Sequence, residues 1–305
     1  MNAIEAMQIE IGYQVQDLEK LDLSSLVKNC LFVGSGDSYV ATLATQYFSG
    51  SYSPCYHPID IIKNPLLVKG RNLFIVSVSG NTKANILAAK IARNYTVNTT
   101  TALTARPSSR LAKACDQMIE LKYRSSGIVT AGTISFTVSM LECLSLVTKL
   151  LLPPDIAALY AQAEKQAEQI IRKMDKKSDS YIILGNGLLY PIAMYAALKF
   201  NEVLGARAFA YPSEEFCHAP VFSIRDNDQT IVMGDDSNNL NTRLNQEGFP
   251  SVHISFKNTG IELLLRSTFF IQLLVLKLAQ KKGLTSCYFL KNKKLLRLSS
   301  DFIYG

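Results

Sequence analysis

Short apolar runs alternate with longer stretches of helical periodicity along most of this chain. Leu31-Phe32-Val33, Leu73 to Val76, Thr99 to Thr104, Met118 to Leu121, Tyr181 to Leu184, Thr230 to Met233 and Ser251 to Ser255 read as strands. Helices are predicted from Lys83 to about Asn94, from about Thr133 to Leu151, and from about Ile261 to Lys281. Alternating β and α units of this length imply a mostly parallel sheet with helices on both faces, an α/β fold. Pro153-Pro154 stops the helix before it and opens a linker. The amphipathic stretch from Ile156 to about Met174 then carries the chain into a second half, so two domains are expected, 1–152 and 153–305.

The two halves echo one another. Leu31-Phe32-Val33-Gly34-Ser35-Gly36-Asp37-Ser38-Tyr39 returns as Ile182-Ile183-Leu184-Gly185-Asn186-Gly187-Leu188-Leu189-Tyr190. Each copy is an apolar strand, a G-x-G turn and an alanine-rich helix, which suggests duplication. Small residues at such a turn let the backbone approach a ligand or a packed helix. Open α/β sheets bind ligands beyond the carboxyl ends of their strands, and the turns Gly34 to Ser38 and Ser77 to Thr82 both lie there. They are expected to face one cleft.

The turn Ser77-Val78-Ser79-Gly80-Asn81-Thr82 joins a strand to a helix and suits phosphate. Free N–H groups at the first helical turn and the positive end of the helix dipole attract an anion, and Ser77, Ser79 and Thr82 each bring a hydroxyl donor. No P-loop lysine follows Gly80, so a nucleoside triphosphate is not the natural ligand. The competing reading is a Ser/Thr-rich cap that serves only the helix.

Composition narrows the class. A 305-residue chain with 48% hydrophobic residues can bury a sizeable core and is not expected to be disordered. The net charge of +7 favours anionic ligands, but no nucleic-acid motif or aromatic-interleaved basic stripe accompanies it. The one dense basic run, Lys291, Lys293, Lys294 and Arg297, reads as a solvated face. Six dispersed cysteines without a C-x-x-C pair read as reduced thiols of a cytoplasmic protein. The N-terminus lacks the basic start and apolar core of a secretory leader. The longest apolar stretch, Phe269 to Leu276, is too short for a bilayer and reads as a buried helix, so no membrane association is expected.

A polar cluster stands out in the second half, with Lys199-Phe200-Asn201-Glu202 followed by Tyr211-Pro212-Ser213-Glu214-Glu215-Phe216-Cys217-His218-Ala219-Pro220. Lys199 and Glu202 share a helix face. A carboxylate beside a lysine and near a histidine is equipped to move a proton between carbons and to open a sugar ring. An i, i+3 Lys/Glu pair is also, more commonly, a surface ion pair. The crowding of Glu214, Glu215, Cys217 and His218 matches no usual zinc spacing, so no metal and no cofactor are expected. His57 and His253 stand in strand-like contexts and read as core or surface residues.

With these motifs the sequence resembles the sugar isomerase (SIS) family, within it the isomerase part of glucosamine-6-phosphate synthase and its stand-alone phosphosugar deaminase and isomerase relatives. The resemblance covers nearly the whole chain and is anchored on Lys199 to Pro220, which match K-x-x-E...E-x-x-H-x-P without a gap. It implies two tandem subdomains, each a mostly parallel sheet in a flavodoxin-like three-layer sandwich. It places Glu202 on the general base that shuttles a proton between C1 and C2 and Lys199 on the lysine beside it. His218 falls on the ring-opening histidine, supplied from a neighbouring subunit, which implies a homodimer with shared sites. Ser77, Ser79 and Thr82 fall on the S-x-S-G-x-T phosphate loop, and Gly36 and Ser38 on the first glycine turn. Thr133 keeps the hydroxyl of a Ser-Thr pair that reads Gly132-Thr133 here. Lys294 is the candidate for a C-terminal Schiff-base lysine, by spacing from Gly283.

Three positions depart from the synthase-like pattern. Val78 replaces a glutamine, Ile134 a lysine, and Tyr195 a second glutamate one turn before Lys199. No glutaminase domain or N-terminal nucleophilic cysteine is present in the sequence, so glutamine-derived ammonia is not expected. The resemblance thus implies an enzyme that deaminates or isomerises a 6-phosphosugar, glucosamine 6-phosphate to fructose 6-phosphate plus ammonia being the most natural case. The alternatives are a phosphoglucose/phosphomannose-type isomerase and a catalytically inactive sugar-phosphate sensor.

Overall fold

The computed structural model describes residues 1–174 and 178–305. The chain forms two compact units, each assembled from several segments. One contains 16–124, 134–151 and 292–305; the other contains 1–15, 125–133 and 152–291. Each holds one sheet.

The first-sheet unit is built on β1 (Cys30–Val33), β2 (Cys55–Tyr56), β3 (Asn72–Val76), β4 (Thr99–Thr104) and β5 (Gln117–Glu120), in the order β2-β1-β3-β4-β5, all pairs parallel. Strand side chains alternate faces. Leu31, Val33, Leu73, Ile75 and Ala102 share one face and pack on Ile61, Ile86, Ala89 and Leu111 from helices. On the other, Phe32 stacks on Phe74 with ring centroids 5.5 Å apart. The helices Asp37–Phe48 and Ile134–Val147 pack against each other. Chain order reverses between β1 and β3, where an open parallel sheet offers its crevice.

The second-sheet unit repeats this plan with one strand fewer. Its strands β6 (Ser180–Gly185), β7 (Arg207–Tyr211), β8 (Asp228–Met233) and β9 (Ser251–Ile254) run parallel in the order β7-β6-β8-β9. β6 and β8 are buried along their whole length. The helix Gly260–Lys281 is buried all round from Ser267 to Leu276 and packs on Ile156–Lys173 and Leu189–Lys199. No helix among the described residues is long and apolar enough to cross a membrane.

The expected strands and long helices are present; four strands run one or two residues longer than expected, and the helices begun at Lys83 and Ile134 end earlier. The helix expected over Thr133–Leu151 covers Ile134–Val147 and ends well before Pro153. Two strands escaped the sequence pattern. β2 is two residues long, and β7 is an edge strand that opens on the exposed Arg207 and interleaves alanines, which are weak strand formers, so neither shows a run of branched apolar residues. His57, expected in a strand, instead precedes the helix Pro58–Lys63; its N–H donates to the Asp60 carboxylate at 2.9 Å and its ring stacks on Tyr39. His253 is in β9, its Nε2 2.7 Å from the Gly234 carbonyl.

The repeated G-x-G turns have one physical basis. A Cβ on Gly34 would lie 2.6 Å from the Ser38 carbonyl carbon, and one on Gly185 would lie 2.5 Å from the Leu189 oxygen, so the first glycine of each lets the next helix close on the strand. The second glycines, Gly36 and Gly187, have φ of +56° and +55°, a region other residues rarely adopt.

Candidate functional site

In the first-sheet unit, β3 delivers the chain into Ser77–Thr82. The Gly80 N–H donates to the Ser77 carbonyl at 2.9 Å, and the Asn81 N–H to Ser79 Oγ at 3.3 Å. Gly80 has φ of +62°, and a Cβ there would collide with the side chains of Ser109 and Thr104, so the turn needs glycine twice over. Thr82 is the N-cap of the helix Lys83–Ala92, yet its hydroxyl makes no cap bond and lies 3.3 Å from Ser77 Oγ. The hydroxyl is therefore not spent on the helix, as the purely capping reading requires. Ser79 and Thr82 are half-buried, Ser77 is buried, and the first-turn N–H groups of this helix have no partner within it.

Asn85 is a member of this site that the motif reading missed. Fully buried, it donates from Nδ2 to the Val76 carbonyl at 3.1 Å and its Oδ1 lies 3.4 Å from Ser35 Oγ. It thereby joins the end of β3 to the turn Gly34–Ser38, where Ser38 is buried in the first turn of Asp37–Phe48. Only its place one turn after Thr82 could have marked it.

The second-sheet unit offers a contrast. At the carboxyl ends of its sheet a cleft of about 680 Å³ is lined by Gly234, Asp235, Asp236, Ser237 and His253. Where β3 leads into hydroxyls, β8 leads into carboxylates, and these are engaged: Asp236 accepts from the Leu240 N–H at 2.8 Å and Asp235 from Ser237 Oγ at 2.9 Å. Paired carboxylates repel phosphate.

Lys199 and Glu202 lie at the end of the helix Leu189–Lys199, which widens into a single π turn at Phe200–Leu204. Such widened turns re-aim side chains and are frequent at functional sites. Lys199 Nζ lies 2.5 Å from Glu202 Oε2 and 5.3 Å from the centre of the Tyr195 ring. The surface-pair reading fails at the lysine, which is 0% exposed, while the Glu202 side chain is 36% exposed. The pair is thus an ammonium wholly inside the protein and a carboxylate that still meets solvent. Behind it, burial pushes the Cys287 thiol up, an effect that the Ala131 N–H opposes and the Glu202 charge reinforces.

The segment Ser125–Thr133 is held from two sides. Glu10, buried in the helix Ala3–Asp17, accepts from the Ser126 N–H at 2.9 Å, from Ser126 Oγ at 2.8 Å and from Thr130 Oγ1 at 2.9 Å. Further along, Tyr195 Oη donates to the Gly132 carbonyl at 2.7 Å and Gln272 Nε2 to the Thr133 carbonyl at 3.1 Å. Thr133 itself is buried.

The remaining expected site residues, His218 and Lys294, are exposed. His218 ends the short helix Ser213–His218 with its side chain 70% exposed; its ion-pair neighbour among the described residues is Glu214, at 3.9 Å. Lys294 is exposed in the first turn of the helix Lys293–Tyr304, in the first-sheet unit. All six cysteines are free thiols. Among the described residues no three His, Cys, Asp or Glu side chains converge as a metal site.

No family model matches the chain. Residue by residue, it is 28% identical over 246 residues to a glutamine–fructose-6-phosphate aminotransferase (isomerizing) of Sulfurisphaera tokodaii, an alignment covering 76% of this chain and 40% of that protein. The homologues of this chain are the isomerase part of such aminotransferases. It spans well under half of that relative's length.

The solved structures share the sugar isomerase fold. The C-terminal domain of glucosamine-fructose-6-phosphate aminotransferase from Francisella tularensis superposes with a TM-score of 0.71 at 21% identity, over 93% of this chain and 95% of that one. Glucosamine-6-phosphate deaminase from Thermotoga maritima superposes with a TM-score of 0.72 at 20% identity, over 93% and 94%. Two parallel sheets of five and four strands flanked by helices are the sugar isomerase architecture.

Proposed function

We propose that this chain is an enzyme that converts a 6-phosphorylated sugar, deaminating glucosamine 6-phosphate to fructose 6-phosphate and ammonia or carrying out a related aldose–ketose isomerisation. The observation that carries the reading is the Lys199–Glu202 pair. A fully buried ammonium is expensive to keep, and one held against a solvent-accessible carboxylate is a means of holding that carboxylate in position. Glu202 takes the proton from C2 of the sugar and returns it to C1. Hydrolysis of the resulting C2 imine releases ammonia when C2 bears nitrogen, and the same proton transfer without nitrogen interconverts aldose and ketose.

Phosphate recognition falls to Ser77, Ser79 and Thr82 with the N–H groups of Lys83–Ala92, and to Ser38 and Gly36 of the neighbouring turn. Thr133 supplies a further hydroxyl. His218 opens the sugar ring, and its exposure leaves it to act on a second copy of the chain in a homodimer. Lys294 is kept as the candidate for the C-terminal lysine. The phosphosugar names of an aminotransferase homologue and a deaminase fold neighbour agree with this substrate class, and free thiols suit the cytoplasm.

Mixing the purified protein with glucosamine 6-phosphate and with a panel of hexose 6-phosphates tests the reading. Ammonia release with fructose 6-phosphate establishes deamination, and interconversion without ammonia establishes isomerisation. Saturable binding with no turnover of any phosphosugar refutes the enzyme and leaves a sensor.

A further inference from the structure

The position that departs most from the synthase-like pattern, Tyr195, is also the centre of a buried polar network. Its side chain is fully buried. The hydroxyl donates to the Gly132 carbonyl at 2.7 Å and lies 3.2 Å from Gln272 Nε2, which donates to it. The same Gln272 nitrogen reaches the Thr133 carbonyl at 3.1 Å, and Gln272 Oε1 accepts from Gln14 Nε2 at 2.6 Å. Gln14 and Gln272 are fully buried as well, so the helices Leu189–Lys199 and Gly260–Lys281 hold two consecutive carbonyls and the helix Ala3–Asp17 holds Gln272. The other face of Tyr195 is its ring, with the Lys199 ammonium 5.3 Å from the ring centre.

We infer that Tyr195 is a positioning residue with two separable parts. Its hydroxyl, with Gln272, fixes the Gly132–Thr133 turn and so the Thr133 hydroxyl, and its ring covers Lys199 beside Glu202. A glutamate at this position would undo the first part, because an ionised carboxylate only accepts and Gly132 offers a carbonyl. It would also add a second negative charge beside the Lys199–Glu202 pair. The tyrosine thus exchanges a charged group for a latch, and the network is arranged around the phenol. Buried networks of this kind hold one geometry because every unmade bond in them is costly.

The role in turnover rests on the proposed function; the latch itself does not. Tyr195→Phe keeps the ring over Lys199 and removes the hydroxyl. Amide hydrogen exchange in 127–133 should then accelerate about 10-fold, from the loss of one buried hydrogen bond. With a phosphosugar substrate, KM should rise about 10-fold while kcat stays within about 2-fold, since the Lys199–Glu202 pair keeps its cover. A merely structural defect gives the opposite split, lower kcat from fewer active molecules at unchanged KM. Tyr195→Glu should leave 127–133 as fast-exchanging as Tyr195→Phe does. Should Tyr195→Phe fail to fold, Gln272→Met removes the adjoining bonds and must give the same local acceleration. Protection of 127–133 at the parent level in any of these variants overturns the inference. If the parent protein turns over no phosphosugar, the proposed function falls and the exchange measurements still decide the latch.

Discussion

Lys199 and Glu202 form one ion pair, but their surroundings make them unequal, and that inequality predicts which of the two the fold can lose. Lys199 is 0% exposed and Glu202 is 36% exposed. Glu202→Gln leaves a buried ammonium facing a neutral amide. Breaking a buried pair from one side costs about 3–5 kcal/mol. Here the glutamine oxygen retains a neutral hydrogen bond and water reaches the site from the exposed side, so about 2 kcal/mol is expected. Lys199→Met removes the buried charge and fills its space with an apolar chain of similar length. The Glu202 carboxylate left behind is hydrated through its exposed third, so Lys199→Met should lie within about 1 kcal/mol of the parent. In the Lys199→Met background Glu202→Gln should cost almost nothing. Urea denaturation of the parent, both single variants and the double variant at pH 7 measures these differences. Two spectroscopic probes must coincide for the comparison to hold. A Lys199→Met variant less stable than Glu202→Gln would refute the assignment of the burial penalty to the lysine. Both variants should lose turnover despite their different stabilities, which separates the function of the pair from its effect on folding.

Ser79→Ala with Thr82→Ala should weaken phosphosugar binding about 30-fold, at roughly 1 kcal/mol for each neutral hydrogen bond; titration calorimetry showing undiminished affinity would place the phosphate elsewhere. Glu142 lies buried in Ile134–Val147, and burial holds its pKa above the usual carboxylate value, so the folded state binds its proton more readily than the unfolded state does. The stability it lends is present at low pH and lost as pH rises through the raised value; Glu142→Gln should raise the urea midpoint at pH 7 and leave it unchanged near about pH 4, and equal shifts at both pH values would contradict this. Mixing inactive Glu202→Gln and His218→Ala chains should restore about a quarter of normal activity, since about half of the dimers are mixed and each of these carries one intact site of two. Subunit exchange without recovery would show that each site is built within one chain.

The sequence by itself determined seven of the nine strands, the long helices and the repeated glycine turns, because each depends on local periodicity or on one residue's conformational range. Gly36 and Gly187 were legible as turns for that reason, and Ser77–Thr82 as a hydroxyl-rich helix entry. Two strands left a weaker trace: β2 is two residues long, and β7 is an edge strand with two alanines, weak strand formers, between exposed Arg207 and Phe209 and the half-buried Tyr211. Only the tertiary structure decided that Lys199 is buried, since spacing in a helix sets which residues share a face and not what covers that face. The bonds from Asn85 to Val76, Glu10 to Ser126, and Tyr195 to Gly132 span 9, 116 and 63 residues. No local pattern encodes a hydrogen bond of that reach. It exists because the fold closes the chain around polar groups that burial would otherwise leave unsatisfied.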